Sequence, residues 1–310
     1  MATEHAAALP RARAGGAGGR RLPDLTSAGF LVPALALIAV FSVAPALYAI
    51  YLSVTDMSLL RLDYAFVGLR NFQDVLTDPD SLDTIRRTFV YVFATIVGQF
   101  SLGFIFALAL DGVRRGRGVY GALLFLPWVF AEVIAVSSWR WILNDSFGLL
   151  NYYLGRIGLD PPAWLADPGL AMASVVMLTV WKGYPFSMVL LLAGLQTIPN
   201  DIREAARVDG ATGWQVFRDV VLPTMRSVAA ATVMLITIAT FNVFSLVFAM
   251  TGGGPVDATE ILGIYMYRSA FESGRLGFAS AVAVLMFGIN LIVTVVYLRT
   301  IAQRTVGSRA

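Results

Sequence analysis

Glu132 and Lys182 lie inside long apolar runs of a 310-residue chain. A charge near the centre of a membrane helix costs about 2.5–3.5 kcal/mol on insertion scales, so each calls for an explanation. Either they line a polar path and contact a solute or each other, or Lys182 snorkels or pairs structurally with a neighbouring helix. Gly183 and Pro185 beside the lysine point to irregular backbone at a cavity. Asn242, within ATFNVFS, can hydrogen-bond a ligand or another helix, and Ser245 is a weaker candidate on the same run. Trp128, Trp181 and Phe186 could wall a cavity, or act as packing and interface anchors.

Other chemistry is missing from the inventory. The chain has no cysteine, hence no thiolate nucleophile, disulfide framework, cysteine metal site or lipidation cysteine. Its single histidine, His5, falls in the N-terminal tail, which removes histidine acid-base work and metal ligation from the folded part. There is no G-x-S-x-G elbow, which disfavours a membrane-embedded hydrolase. There is no G-x-x-x-x-G-K-[ST] either, and the sole lysine is Lys182, so the chain does not bind ATP in the P-loop manner. A secondary transporter using Glu132 as a proton-coupling carboxylate would usually need more spans or inverted repeats.

Composition indicates the elements that must hold these residues. With 57% apolar and 14% charged residues and a mean hydropathy of +0.72, this is an all-α integral membrane protein. A span needs about 20 apolar residues. Six runs qualify, at about 28–53, 88–110, 119–142, 170–195, 227–250 and 277–299. The first contains APALYA, which resembles a signal-peptide cleavage site, but the run exceeds a signal core and reads as a retained span.

An even count puts both termini on one side, and basic residues choose the side. With the termini inside, the inner segments hold 14 arginines against 7 acids and the outer ones 8 against 12. Both termini are therefore expected in the cytoplasm. Residues 1–26 read as a disordered basic tail near anionic lipid, 27–300 as the transmembrane domain and 301–310 as a C-terminal tail. The outer segments 54–87, 144–169 and 251–276 carry Gly/Pro/Asp clusters that read as ordered turns. Inside, only 196–226 has room for folded structure.

That inner segment, with EAARVDGATGWQVFRDVVLPTM at 204–225, reads as two short helices. Asn200 or Asp201 can cap the first, with Glu204 completing a capping box. Asp209-Gly210 signals a turn in which glycine takes a positive φ. Thr212 and Gln215 form a second capping box, followed by an apolar face at Trp214, Phe217 and Val221, and Leu222-Pro223 ends the helix. Such a segment could be an amphipathic connector resting on headgroups. The small residues Ala205 and Ala206 beside Glu204 make a poor lipid-facing surface, and favour close approach by another protein.

The spacing in this stretch resembles the cytoplasmic E-A-A, three residues, G, nine residues, I-x-L-P motif of permease subunits of binding-protein-dependent ABC importers. Here it runs Glu204-Ala205-Ala206, Gly210 and Val220-Val221-Leu222-Pro223, with Val for Ile. FLPWVFAEVIAVSSWRWILND, VWKGYPFSMVLLLAGLQTIPNDIREAARVDGA and FNVFSLVFAMTGGGP are similar to the carbohydrate-uptake branch, which takes up maltose, trehalose or glycerol-3-phosphate. The resemblance implies a type I importer fold of six helices in the plasma membrane. It implies that residues 200–223 are a coupling element seated in a separate ATPase, where Glu204 and Arg207 make polar contacts, Ala205 and Ala206 permit approach, and Asp209 and Gly210 shape the turn. It further implies a second homologous permease subunit, two ATP-binding subunits that hold the ATP and magnesium, and an extracytoplasmic binding protein docking on the outer loops. No cofactor in this chain and no nucleic acid are expected. Asn242 falls where the family places polar residues facing the sugar, with Phe241 and Phe244 near enough to stack on a pyranose.

Overall fold

The computed structural model describes residues 25–307, apart from Leu62 and Arg114. The tail expected over 1–26 lies almost wholly outside the described residues, as does the end of the tail expected over 301–310. The chain divides into two compact units, 1–48 and 49–310. The first contains α1 (Leu25–Ile38), a π-helical turn at Ala39–Val43 and the start of α2 (Ala44–Ser53).

The second unit has three long helices, α4 (Pro79–Asp111), α8 (Pro168–Gln196) and α15 (Leu276–Gly307), and α3 (Arg70–Thr77), α5 (Arg117–Val129), α6 (Glu132–Ile142) and α7 (Leu149–Arg156) lie between or before the first two. Helices α4 and α8 both start on an Asp-Pro pair. Asp78 accepts from the Ser81 N–H and Asp167 from those of Gly169 and Leu170, while Pro79 and Pro168 occupy the first turn, where no intrahelical N–H is needed.

The faces that α4 and α8 bury are rich in small and hydroxylated residues: Ser81, Thr84, Thr88, Thr95 and Gly103 on one, Ala171, Ser174, Thr179, Ser187 and Gly194 on the other. Small side chains allow close approach where the hydrophobic effect cannot drive helices together. Gly103 sits against the backbone of α8, since a Cβ there would stand 2.7 Å from the Ser187 Cβ and 2.9 Å from the Met188 nitrogen. The opposite face of α4 exposes Phe93, Val97 and Ile105, as suits a hydrocarbon or protein neighbour.

Two apolar clusters fill the unit. One gathers Tyr91, Leu178, Phe241, Leu246 and Ile264; the other gathers Ala107, Leu110, Met188, Leu191 and Met225.

Among the described residues, four stretches can cross a membrane unaided: Leu31–Ser53, Pro79–Asp111, Pro168–Gln196 and Leu276–Arg299. Two more spans arise only if each of two bent pairs counts as one, α5 with α6 at 90° and Gly213–Thr224 with α12 (Arg226–Phe241) at 67°. The run expected as one span over 119–142 is thus bent into two helices. Pro127 withholds a backbone N–H, and Phe130 and Ala131 leave the helical region with ψ of 134° and 142°. The run expected over 227–250 also divides, into α12 and α13 (Ser245–Thr251) around Asn242–Phe244. Conversely, α8 passes unbroken through Gly183 and Pro185, where irregular backbone was expected.

Gly103→Val should keep the chain in the membrane but destabilise it by about 1–3 kcal/mol, the usual cost of overpacking a tight contact. A lowered unfolding midpoint in detergent checks this.

Candidate functional site

The segment from 200 to 224 forms α9 (Asn200–Val208), α10 (Gly213–Val216), a π-helical turn at Phe217–Val221 and α11 (Leu222–Thr224). Gly210 has φ of +86°, as the Asp-Gly turn requires. The Thr212–Gln215 capping box is present in both directions. The box expected from Asp201 and Glu204 is not formed: the cap position is Pro199, with no side-chain cap bond, so the helix starts one residue before the acid that was to cap it.

No residue of α9 is buried, and Ile202, Val208 and Trp214 are exposed at 51%, 86% and 66%. Charged Glu204 and Arg207, small Ala205 and Ala206, and the Asp209–Gly210 turn therefore share one open, ordered surface, while Val221 packs into the second cluster beside the exposed Leu222.

In the bundle, a cleft of about 450 Å³ is lined by Gln99, Trp128, Glu132, Thr179, Lys182, Gly183 and Thr240. Along both α4 and α8 it falls between the two apolar clusters, with Gln99 between Val92 and Ala107 and Lys182 between Leu178 and Met188. Of the alternatives for Glu132 and Lys182, a contact with each other is not formed, and Lys182 pairs with another helix. The Lys182 Nζ donates to the Phe130 carbonyl at 2.7 Å, and Glu132 Oε2 accepts from the Ser245 hydroxyl at 2.5 Å. Lys182 thus serves a carbonyl freed by the break between α5 and α6. Gln99 Nε2 donates to the Thr179 carbonyl at 3.0 Å, and its amide occupies the space that a Cβ on Gly183 would fill. Trp181 stacks on Phe130 with ring centroids 6.2 Å apart.

The remaining candidates are elsewhere. Asn242 donates to the Ile238 carbonyl at 2.7 Å and lines a second cleft with Phe244, Met266, Phe287 and Asn290. Phe241 is 3% exposed and packs edge-on against Phe89, so in this conformation it offers no face to a ligand. Phe244 stacks on Phe248, and Phe186 is exposed on α8.

One polar group escaped the sequence reading. The segment 251–276, expected as ordered outer turns, buries Thr259, Glu260 and Ile261 just before α14 (Leu262–Tyr267). Glu260 accepts from Arg268 at 2.7 Å and from Thr84, and Arg268 also holds Asp257 and the Gly252 carbonyl. Burial works against the Arg268 charge, but its hydrogen bonds to the two carboxylates prevail and hold the pKa above that of a free guanidinium. The only sequence signal was the alternation of acids and arginine, Asp257, Glu260, Arg268 and Glu272, in an otherwise apolar stretch.

Residues 79–305 match the family of binding-protein-dependent transport system inner membrane components. The chain belongs to that family. This permease is 34% identical over 269 residues to the trehalose/maltose transport system permease protein MalF of Thermococcus litoralis, covering 87% of this chain and 91% of the relative. It is 35% identical over 277 residues to the sn-glycerol-3-phosphate transport system permease protein UgpA of Brucella abortus, covering 88% and 94%. In fold, the permease is similar to a chain of a bacterial alginate ABC transporter crystallised with an alginate pentasaccharide-bound periplasmic protein, at a TM-score of 0.78 and 20% identity over 88% of this chain and 93% of that one.

Replacing Arg268 with Met strands a nearly buried Glu260 and should destabilise the permease by about 3 kcal/mol. Adding Glu260→Met should recover part of that loss, and thermal unfolding of the two variants in detergent makes the comparison.

Proposed function

We propose that this permease carries a neutral sugar or related polyol across the plasma membrane as one of two related transmembrane subunits, driven by a separate ATPase seated on residues 200–223. It is a transport subunit that makes and breaks no covalent bond. ATP and magnesium are held by the two ATPase subunits, and substrate arrives from an extracytoplasmic binding protein docking near 54–87, 144–169 and 251–276. The six spans have both termini in the cytoplasm, a topology supported by the excess of arginine in the inner segments.

The observation that carries the coupling role is the open, ordered surface of α9 and its turn. A helix that rested on lipid would bury a continuous apolar stripe in the headgroups, whereas the two large apolar side chains that α9 exposes, Ile202 and Val208, are six residues apart and fall on different faces, with the small Ala205 and Ala206 between Glu204 and Arg207. ATPases that bind two conformations of this surface with different affinity shift the permease between them, which is the thermodynamic requirement for alternating access.

For substrate class, the cleft favours a neutral solute over the glycerol phosphate that the UgpA relatives are named for. Its one cation is already bonded to a backbone carbonyl, and the Glu132 carboxyl nearby opposes an anion. The amide of Gln99 and the hydroxyls of Thr179 and Thr240 are the neutral groups that line it, with Trp128 as an aromatic wall.

Accumulation of labelled sugars and glycerophosphodiesters, compared between cells with and without this chain, tests the substrate class; selective loss of a phosphodiester would overturn the neutral reading. For the coupling surface, Gly210→Pro cannot adopt φ of +86° and also removes the N–H that bonds the Arg207 carbonyl. That variant and Glu204→Lys should remain in the membrane yet lose ATPase association and reduce uptake at least tenfold. Normal uptake by both defeats the coupling role.

A further inference from the structure

Asp111 is the last residue of the 33-residue helix α4, and its carboxylate is a meeting point. Oδ2 accepts from Arg203 Nη1 on α9 at 2.5 Å, and Oδ1 lies 3.6 Å from Nη2 of Arg117, the first residue of α5. Arg203 also donates through Nη2 to the Leu195 carbonyl near the end of α8, at 2.8 Å. The two side chains are largely shielded, 15% exposed for Asp111 and 18% for Arg203. Charge-assisted bonds of this length in a sheltered place are short, directional and weakly screened.

The surroundings give the pair its importance. Helix α9 buries none of its residues, so apolar packing does not anchor it. Among the described residues, Arg203 is the one side chain of α9 that hydrogen-bonds to another helix. At the other end of this connection, α4 carries Gln99 in the polar cleft and Thr84 against Glu260. A displacement of α9 therefore reaches the cleft by a continuous physical route: Arg203, Asp111, the rigid helix α4, then Gln99 and its bond to Thr179.

We infer that the Arg203–Asp111 ion pair, supported by Arg117, is the positioning contact that passes movement of the ATPase-docking helix α9 into α4 and thence to the polar cleft. Neither residue touches substrate. The inference rests on the coupling role proposed above for residues 200–223, and adds the point at which that surface is joined to the bundle. It also separates two tasks on one helix: Glu204 and Arg207 face outward to a partner, whereas Arg203 faces back into its own chain.

Because the chain has no cysteine, a single one can report the cleft. Ala239, on the cleft wall, is replaced by Cys in the full complex with its ATPase, and its labelling by a membrane-impermeant maleimide is timed with and without a non-hydrolysable ATP analogue. With Asp111 and Arg203 intact, the analogue should change the labelling rate by about fivefold or more. With Asp111→Asn or Arg203→Gln the ATPase should still co-purify, but the nucleotide-dependent change should fall below twofold. The double variant should be no worse than either single one, since the two residues act as a unit. Asp111→Glu, which keeps the charge, should restore part of the response.

An undiminished response in Asp111→Asn overturns this inference and leaves the coupling role standing. Loss of ATPase co-purification in Asp111→Asn and Asp111→Glu alike also overturns it, by making the pair a requirement of docking. Failure of the unaltered complex to respond to nucleotide defeats both the inference and the coupling role on which it rests.

Discussion

Hydrocarbon supplies no hydrogen bonds, so every backbone group that a broken helix releases must find a partner inside the protein. The organisation of this chain follows from where it breaks that rule's usual remedy, the continuous helix, and how it compensates. The interruption between α5 and α6 frees the Phe130 carbonyl, and the sole lysine of the chain satisfies it. At the interruption after α12, Asn242 closes the helix locally, its backbone N–H and its side-chain amide both donating to the Ile238 carbonyl. Both breaks border clefts, which is where irregular backbone at membrane depth can persist.

The same constraint shapes the interface of α4 with α8. Packing there relies on close approach and on polar groups that satisfy one another: Tyr91 with Thr179, Gln99 with the Thr179 carbonyl. Large apolar side chains fill the two clusters to either side and also stand on the outward face, as Phe93 and Ile105 do. The two apolar clusters above and below leave a polar layer between them, and the cleft with Glu132 and Lys182 is that layer opened to one side.

Much of this was legible from residue types. Asp209-Gly210, the Thr212–Gln215 box and the small Ala205–Ala206 surface are local signals, written within a few residues of one another, and the structure reproduces each. The long helices were plain from their uninterrupted apolar runs, but not their starts: the Asp78-Pro79 pair, in a stretch expected as outer turns, opens α4 nine residues before the span expected from 88. What escaped was non-local. Whether Lys182 meets Glu132 or a carbonyl of another helix depends on a bend at Phe130 that Pro127 permits but does not dictate. The burial of Glu260 depends on Thr84 and Arg268, which come from different parts of the chain. Phe241 and Phe244 are neighbours in sequence near Asn242, yet one faces the core against Phe89 and the other stacks on Phe248.

The length of α4 carries a geometric consequence. Its 33 residues make a rod of about 50 Å at 1.5 Å per residue, well beyond a hydrocarbon layer of about 30 Å. For a rod of that length, a pivot of about 5° at one end would swing the other through about 4 Å, the scale on which close-packed helices exchange one arrangement for another. A stiff arm of this kind lets events at opposite faces of the membrane be synchronised by geometry alone, without any bond having to form or break along its shaft.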